Sequence, residues 1–127
     1  MADKIVKENE VKILEPSAGK GDIVDYIKNN QKEIFGFHKW SSRIDIDCIE
    51  IDDNLQKILN GKGLRVIYND FLDFSTYKIY DLIIMNPPFD CGDKHLLKAI
   101  SLMEKTGGQI ICLLNAETLK NPYSVYR

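Results

Sequence analysis

The sequence lacks several features that mark particular classes of protein. Its 127 residues include only three cysteines, Cys48, Cys91 and Cys112, with no C-x-x-C pair. This argues against a disulfide framework or a zinc site and favours a reducing, cytoplasmic compartment. The longest apolar runs, 82–85 and 110–114, are far below the ~20 residues that span a bilayer. Basic side chains number 17 against 19 acidic ones, without the positive excess typical of proteins that bind nucleic acid by charge alone. We therefore expect neither a membrane nor a metal partner.

The composition that remains, 44% apolar and 28% charged, is that of one globular domain, taken as residues 1–127. Short β-rich runs alternate with helical patterns. Strands are predicted at 11–15, 44–51, 64–68, 81–85 and 109–114. Asp22 is the predicted N-cap of the first helix. The last helix is predicted to have its apolar face at Leu96, Leu97, Ile100 and Met103. Such alternation predicts an α/β fold with helices on both faces of a doubly wound, mostly parallel sheet. We expect about five strands in the order 3-2-1-4-5.

The turn after the first predicted strand is rich in small residues. Its sequence, Glu15-Pro16-Ser17-Ala18-Gly19-Lys20-Gly21, places two glycines where a strand passes into a helix. Glycine there permits positive φ and lets a ligand approach the backbone closely. The turn is not a phosphate-binding P-loop, because Gly21 follows Lys20 where that motif has Ser or Thr. It also lacks the third glycine of the dinucleotide fingerprint. Taken alone, it is compatible with a purely structural turn.

Acidic residues follow the second and third predicted strands. Glu50 is placed to accept hydrogen bonds from a ribose diol, although a solvated charge at a strand end would look the same. Asp70 could accept from an exocyclic amine while the ring of Phe71 covers the face of a base. In parallel sheets, ligands bind at the carboxyl ends of the strands, and these residues all lie there.

The segment Asn86-Pro87-Pro88-Phe89 follows the fourth predicted strand. Two prolines remove backbone donors and hold the chain extended. Acceptors remain, namely the Asn86 side-chain oxygen and the Pro87 carbonyl, with the flat ring of Phe89 beside them. Acceptors without competing donors suit an exocyclic amino group, which brings two N–H donors. The segment is therefore predicted to bind a target amine.

We call the turn Glu15–Gly21 the glycine loop. Four segments of the chain, taken in order, resemble the motifs of class I S-adenosylmethionine-dependent methyltransferases. They are the glycine loop, Glu50-Ile51-Asp52, Asn69-Asp70-Phe71 and Asn86-Pro87-Pro88-Phe89. Among these, the N6-adenine DNA methyltransferases are the most similar. The resemblance covers about 11 to 114 and implies S-adenosyl-L-methionine as the cofactor. The cofactor-binding residues that it implies are Glu15, Pro16, Ser17, Ala18, Gly19, Gly21, Glu50, Ile51, Asp70, Phe71 and Asn86. The catalytic residues that it implies are Asn86, Pro87, Pro88 and Phe89.

The resemblance also assigns roles to some of these residues. Glu50 would bind the ribose hydroxyls of the cofactor, and Ile51 would pack on its adenine ring. Asp70 would accept a hydrogen bond from the adenine amine. Asn86, with Pro87, would hold the target amine, and Phe89 would stack on the target base. A base in duplex DNA would have to be flipped out to reach that ring.

The sequence departs from this family in having five recognisable strands where the family has seven. We therefore expect a core cut from a longer methyltransferase and inactive by itself, with any DNA-recognition region beyond Arg127. Methylation of RNA (guanine N2 or adenine N6) or of protein glutamine would need the same acceptors, so the spacing leaves these substrates open. A non-catalytic S-adenosylmethionine-binding or interaction module is the remaining alternative. Tyr123 and Tyr126, near an exposed edge of the fifth strand, suggest self-association.

Overall fold

The computed structural model describes residues 10–31, 33, 43–87 and 92–112. Within these residues the strands are β1 (Glu10–Glu15), β2 (Arg43–Ile49), β3 (Arg65–Tyr68), β4 (Leu82–Met85) and β5 (Gln109–Cys112). The α-helices are α1 (Asp22–Asn29), α2 (Asp53–Gly61) and α3 (Gly92–Glu104), and a short 3-10 helix spans Phe71–Asp73. The strands lie within a few residues of the predicted ones.

The described strands form one parallel sheet in the order β3-β2-β1-β4-β5. This confirms the predicted fold class and strand order. The reversal of order at β1 places β2 and β4 on either side of it, with Glu15 beside Cys48 and Leu14 beside Ile83. The carboxyl ends of β1, β2 and β3 lie next to one another, on the edge of the sheet where doubly wound folds bind ligands.

Different helices cover the two faces of the sheet. α1 and α2 pack on one face, where Val24 and Leu59 join Cys48 in a buried cluster. α3 packs on the other face, where Leu96 joins Ile83. Fully burying an apolar side chain of this size stabilises the fold by ~1.5–3 kcal/mol, so both layers are held mainly by such contacts. The prediction of helices on both faces is confirmed.

The connection between β3 and β4, residues 69–81, contains no α-helix and only the 3-10 helix near its start. The predicted alternation of strands and helices is therefore interrupted here. Tyr80 is buried in the same cluster as α3 and donates a 2.7 Å hydrogen bond to Oδ2 of Asp47. The Nζ of Lys78 lies 2.8 Å from the same oxygen. Polar and aromatic contacts thus hold this segment on the sheet in place of an amphipathic helix.

Two predicted details of the helices are wrong. Gly21, with φ of 95°, is the N-cap of α1 and makes no side-chain cap bond, so Asp22 is the first helical residue rather than the cap. Its carboxylate still lies in the first turn, where the helix dipole favours negative charge. Leu97 is 65% exposed, because it is rotated by one residue, about 100°, from the buried side chain of Leu96.

The outer strands differ from the inner ones in burial. All four residues of β4 are buried, as its apolar run predicts. The apolar run 110–114 likewise predicts a strand buried on both faces. β5 pairs only with β4 among the described strands, and Ile111 is 39% exposed, so this prediction is wrong. Residues 113–127, with Tyr123 and Tyr126, lie outside the described residues, and self-association stays a prediction.

Candidate functional site

A cleft of about 370 Å³ opens at the carboxyl ends of β1, β2 and β3, and we call it the strand-end cleft. Its lining residues are Pro16, Ser17, Glu50, Ile51, Asn69, Asp70, Phe71, Leu72 and His95. Six of these were predicted from the sequence as ligand-binding residues, although they come from three separate segments. The parallel sheet brings them together because its strand ends share one edge.

The glycine loop lies next to this cleft and contributes Pro16 and Ser17 to its lining. Gly19 and Gly21 have φ of 60° and 95°, in the left-handed region that favours glycine. A Cβ on Gly21 would meet Leu64 Cδ1 at 3.1 Å, so this glycine serves the packing of the loop against the end of α2. Ala18 is 5% exposed in the same cluster. Ala18, Gly19 and Gly21 shape the loop and are not among the residues that line the strand-end cleft.

Glu50 joins the loop to the end of β2 and is 8% exposed. Its Oε1 accepts a 2.7 Å hydrogen bond from the Gly19 N–H, and its Oε2 accepts a 3.0 Å bond from the Asp52 N–H. The side-chain amide of Gln56 donates to the Glu50 carbonyl at 2.6 Å. Each carboxylate oxygen has further acceptor capacity after one bond. Glu50 therefore fixes the loop and can still accept hydrogen bonds from a ligand.

Glu15 lies beneath the same loop and is fully buried. Its Oε1 accepts a 3.0 Å hydrogen bond from the Ser17 N–H, whereas Oε2 is buried with no hydrogen-bond partner among the described residues. Burial raises the pKa of this carboxyl to about 8, the Ser17 bond opposes that rise and the charge of Glu50 adds to it. Glu15 is therefore mainly protonated at neutral pH.

Asp70 and Phe71 begin the segment after β3 and differ in exposure. Asp70 is half-buried, and its Oδ1 accepts a 3.1 Å bond from the Leu72 N–H, which caps the 3-10 helix. Phe71 is only 2% exposed and belongs to the core on the α3 face. Ile51, by contrast, is 66% exposed at the cleft. The cleft thus presents a carboxylate beside an apolar surface.

Asn86 directly follows β4 and is exposed, and Pro87 is half-buried. Because β4 is the neighbour of β1, Asn86 lies at the same edge of the sheet as the glycine loop. Pro88 and Phe89 lie outside the described residues. Their predicted roles stay predictions.

His95 was missed by the sequence analysis. It lies on α3, lines the strand-end cleft, and its ring centroid is 5.7 Å from that of Phe71. The helix carries no motif around it, so only the packing of α3 against the 3-10 helix reveals its position. Asn69 and Leu72 also line the cleft, because they flank the predicted pair Asp70 and Phe71.

The described residues contain no group of His, Cys, Asp and Glu side chains arranged to hold a metal ion. In the same part of the chain, no helix combines the length and the apolar character needed to cross a bilayer.

Comparison with known proteins gives matches among solved structures only. No protein-family model matches the chain, and no curated protein sequence matches it. One structural neighbour, from Thermoplasma acidophilum and described as a methyltransferase, has a TM-score of 0.64 and 22% identity over 91% of this chain. Another, from Pyrococcus horikoshii and described as an RNA methyltransferase, has a TM-score of 0.54 and 20% identity over 91%. A third, coclaurine N-methyltransferase bound to N-methylheliamine and S-adenosylhomocysteine, has a TM-score of 0.56 and 10% identity over 83%.

These likenesses show the fold. The chain has the Rossmann-like fold of S-adenosylmethionine-dependent methyltransferases, with the same central order of parallel strands that the sequence predicts. It spans about half the length of the first two neighbours, 49% and 55%, and 30% of the third.

Proposed function

We propose that this chain is the cofactor-binding core of an S-adenosylmethionine-dependent methyltransferase that acts on an exocyclic amino group. The observation that carries the proposal is the strand-end cleft, which gathers Glu50 and Ile51 from the loop after β2 and Asp70 from the loop after β3 at one sheet edge. These are the residues to which the sequence resemblance assigns the ribose and the adenine of the cofactor. A neighbour of the same fold holds S-adenosylhomocysteine, which supports the choice of cofactor.

The cleft suits a nucleoside in size and chemistry. Its volume of about 370 Å³ lies within the ~300–1,000 Å³ range of small-molecule sites. Ile51 offers an exposed apolar surface for a flat ring. Glu50 and Asp70 offer carboxylate oxygens to hydroxyl and amine donors, and hydrogen bonds to charged groups of this kind contribute ~1.5–3 kcal/mol each.

The chemistry at the target amine is assigned to Asn86 and Pro87. S-adenosylmethionine, when bound, supplies a methyl group on a positively charged sulfur. An aromatic amine is a poor nucleophile because its lone pair is delocalised into the ring. The Asn86 side-chain oxygen and the Pro87 carbonyl would accept from its two N–H groups and favour a pyramidal nitrogen with a directed lone pair. Holding the reacting groups in line can lower a barrier by ~7–11 kcal/mol.

Adenine N6 in DNA is the target that we favour, because the order of motifs is most similar to the N6-adenine DNA enzymes. RNA is the second candidate, and one neighbour of the same fold is described as an RNA methyltransferase. Both candidates need the same acceptors at Asn86 and Pro87. DNA and RNA as targets are therefore distinguished by an assay on the whole natural protein.

Calorimetry with S-adenosylmethionine and S-adenosylhomocysteine tests the cofactor. Both ligands should bind, and Asp70→Asn should weaken binding about tenfold or more, because an amide NH₂ can oppose the adenine amine. Asparagine keeps an oxygen for the Leu72 N–H, so the 3-10 helix should persist. Asp73→Asn, exposed on the same helix, is the matched control. Absence of heat and of any thermal shift with both ligands would contradict the cofactor assignment.

Transfer of a labelled methyl group in the full natural protein tests the target. DNA, RNA and protein are offered side by side, and label is expected in DNA. Asn86→Ala should reduce transfer by orders of magnitude while cofactor affinity changes only a few-fold. Label in RNA alone would favour the second candidate, and label in protein alone would overturn both. Near-normal transfer by Asn86→Ala would remove the catalytic assignment.

A further inference from the structure

A second cleft lies beside the strand-end cleft, between the segment 74–80 and α3. It encloses about 320 Å³, and we call it the lysine cleft because Lys78, Lys98 and Lys105 all line it. No acidic side chain is among the described residues that line it.

Two of the three lysines have no anionic partner among the described residues. Lys78 is held by Asp45 and Asp47, at 2.9 and 2.8 Å. Lys98 and Lys105 lie more than 4 Å from every carboxylate oxygen in the described ranges. Lys98 lies on α3, Lys105 directly follows the last residue of that helix, and both line the cleft. Lys98 is half-buried in this position.

The remaining polar groups of the lysine cleft are hydroxyl groups. Ser75, Thr76, Ser101 and Thr106 line it. The Thr76 Oγ1 accepts a 2.9 Å bond from the Lys78 N–H, and its own proton is left to donate. Ammonium and hydroxyl donors without competing carboxylates match the oxygens of a phosphate group. The cleft therefore has the chemistry of a phosphate site.

Tyr77 adds an aromatic surface at the same place. It lines the cleft, and its side chain is fully exposed to solvent. A fully exposed ring has lost none of its contact with water and gains by stacking on another flat apolar surface. Cations that follow a backbone, with an aromatic ring on which a base can stack, are the combination found in proteins that bind single-stranded nucleic acid.

The two clefts are adjacent on the same two segments. On α3, His95 lines the strand-end cleft and Lys98 lines the lysine cleft, about one turn further along. Between β3 and β4, residues 69–72 line the first cleft and residues 74–78 line the second. A polymer held in the lysine cleft would therefore pass close to the cleft assigned to the cofactor.

We propose that the lysine cleft binds the phosphate backbone of a single-stranded nucleic-acid segment through Lys98 and Lys105, with a base stacked on Tyr77. This inference rests on the proposed function, because the nucleic acid bound here would be the substrate of the proposed methyltransferase. The binding itself depends only on the residues of the cleft.

Fluorescence anisotropy with a labelled single-stranded oligothymidylate, titrated at several salt concentrations, tests the inference. Replacing both Lys98 and Lys105 by Gln should weaken binding at least tenfold at low salt. It should also reduce the slope of log K against log salt by about 1.4, because each phosphate contact contributes ~0.7 on single strands. Tyr77→Ala should weaken binding about tenfold at an unchanged slope. The matched control replaces Lys28 and Lys57, exposed on α1 and α2 on the opposite face, by Gln with the same change in net charge.

Equal weakening in the control pair would show diffuse charge attraction and overturn the inference, as would unchanged binding in the Lys98 and Lys105 variant. Tighter binding of a duplex than of a single strand, unaffected by Tyr77→Ala, would also overturn it. Calorimetry with S-adenosylhomocysteine on the same samples separates the two proposals. Cofactor binding without oligonucleotide binding removes only the lysine cleft, whereas lysine-dependent oligonucleotide binding without cofactor binding removes only the cofactor assignment.

Discussion

Two pairs of carboxylates on neighbouring strands differ in what surrounds them. Asp45 and Asp47 lie along β2, and Glu15 and Glu50 lie at the carboxyl ends of β1 and β2. Both pairs contain a buried member, since Asp47 is 2% exposed and Glu15 is fully buried. Asp47 is surrounded by side-chain donors, whereas Glu15 has one backbone N–H and an oxygen without a partner among the described residues.

The aspartate pair has all the partners it needs. Asp47 accepts from Arg65 Nε at 2.5 Å, from Lys78 Nζ at 2.8 Å and from the Tyr80 hydroxyl at 2.7 Å. Asp45 bonds to the Arg65 guanidinium and to Lys78. Burial alone would raise the pKa of Asp47, but the bonds from Lys78, Tyr80 and Arg65 together lower it. The result is a completed structural network that ties the β3–β4 connection to the sheet.

In the glutamate pair, by contrast, Oε2 of Glu15 has no hydrogen-bond partner among the described residues. Among the described residues no basic side chain offsets the burial of Glu15, so burial raises its pKa, and the protein holds a protonated acid under the glycine loop. The two pairs show that the role of a buried carboxyl group is decided by its hydrogen-bond partners and not by burial itself. The satisfied aspartate pair holds the fold together, whereas Glu50, which lines the strand-end cleft and keeps acceptor capacity, is available to a ligand.

The largest expected effect concerns Glu15 and pH. In the unfolded chain this carboxyl ionises near pH 4.5, whereas in the folded chain its pKa is about 8. Between these values the unfolded state binds fewer protons, so the free energy of unfolding falls as pH rises. At ~1.36 kcal/mol per pKa unit the loss is roughly 3–5 kcal/mol over the window. Glu15→Gln, an isostere of the neutral acid, should lack this loss and be more stable than the native chain at pH 8.

Urea denaturation at pH 5, 6.5 and 8 measures this effect, with the exposed Glu104→Gln as control. The Gln variant and the native chain should converge in stability towards pH 5 and diverge above it. If Glu15→Gln shows the same pH dependence as the native chain, the buried acid is already ionised and the contrast between the two pairs disappears.

The second effect is the loss of the centre of the aspartate network. Asp47→Ala removes the acceptor of three side chains, and the Tyr80 hydroxyl is left buried without its partner. Leaving a buried donor unpaired costs ~1–3 kcal/mol. Lys78 and Arg65 are 31% and 55% exposed, so solvent screens much of the remaining charge. We expect a loss of about 2–4 kcal/mol in urea denaturation.

Asp45→Ala is the matched change on the same strand, because its carboxylate shares two of these cations but is more exposed. It should cost about 1 kcal/mol or less. A larger effect for Asp45 than for Asp47 would contradict the view that the buried acid organises the network.

The sequence predicts the strand-end cleft better than it predicts this network. The residues of the cleft follow strands directly, and the fold brings strand ends to one edge, so Glu50 and Asp70 could be assigned before their neighbours were known. Asp45 and Asp47 read only as polar positions in an alternating strand. Two partners of Asp47 lie 18 and 33 positions away, at Arg65 and Tyr80, and no local pattern connects them.

The unpartnered oxygen of Glu15 is equally invisible in the sequence, because an acidic residue at a strand end is normally solvated. Only the closure of the glycine loop above it, through the Ser17 N–H, reveals its burial. His95 and the lysine cleft are likewise products of tertiary packing. The places of the motif residues could be predicted because these residues directly follow strands, whose carboxyl ends share one edge of the sheet.

The third effect concerns the affinity for the cofactor that Glu50 is proposed to provide. Glu50→Gln should weaken S-adenosylmethionine by about 10–100-fold, the equivalent of one charge-assisted hydrogen bond at ~1.5–3 kcal/mol. The amide must also turn its NH₂ towards one of the two backbone N–H donors, so the glycine loop should be less stable. Calorimetry gives the affinity, and thermal melts report the loop. Unchanged affinity with a lower melting temperature would make Glu50 a purely structural residue, like Asp47.

The smallest effect tests whether the aspartate network is cooperative. Tyr80→Phe removes one hydroxyl donor and leaves an apolar ring in an apolar cluster, while Asp47 keeps its bonds to Lys78 and Arg65. The expected cost is therefore about 1 kcal/mol. A double-mutant cycle with Asp47→Asn isolates the bond, because an amide that has lost its charge accepts more weakly from the Tyr80 hydroxyl. Tyr80→Phe should then cost at least ~0.5 kcal/mol less in the Asn background, the range expected for residues in one network. Additive effects in urea denaturation would mean that Tyr80 stabilises the β3–β4 connection by packing alone, and that the charged groups hold Asp47 without it.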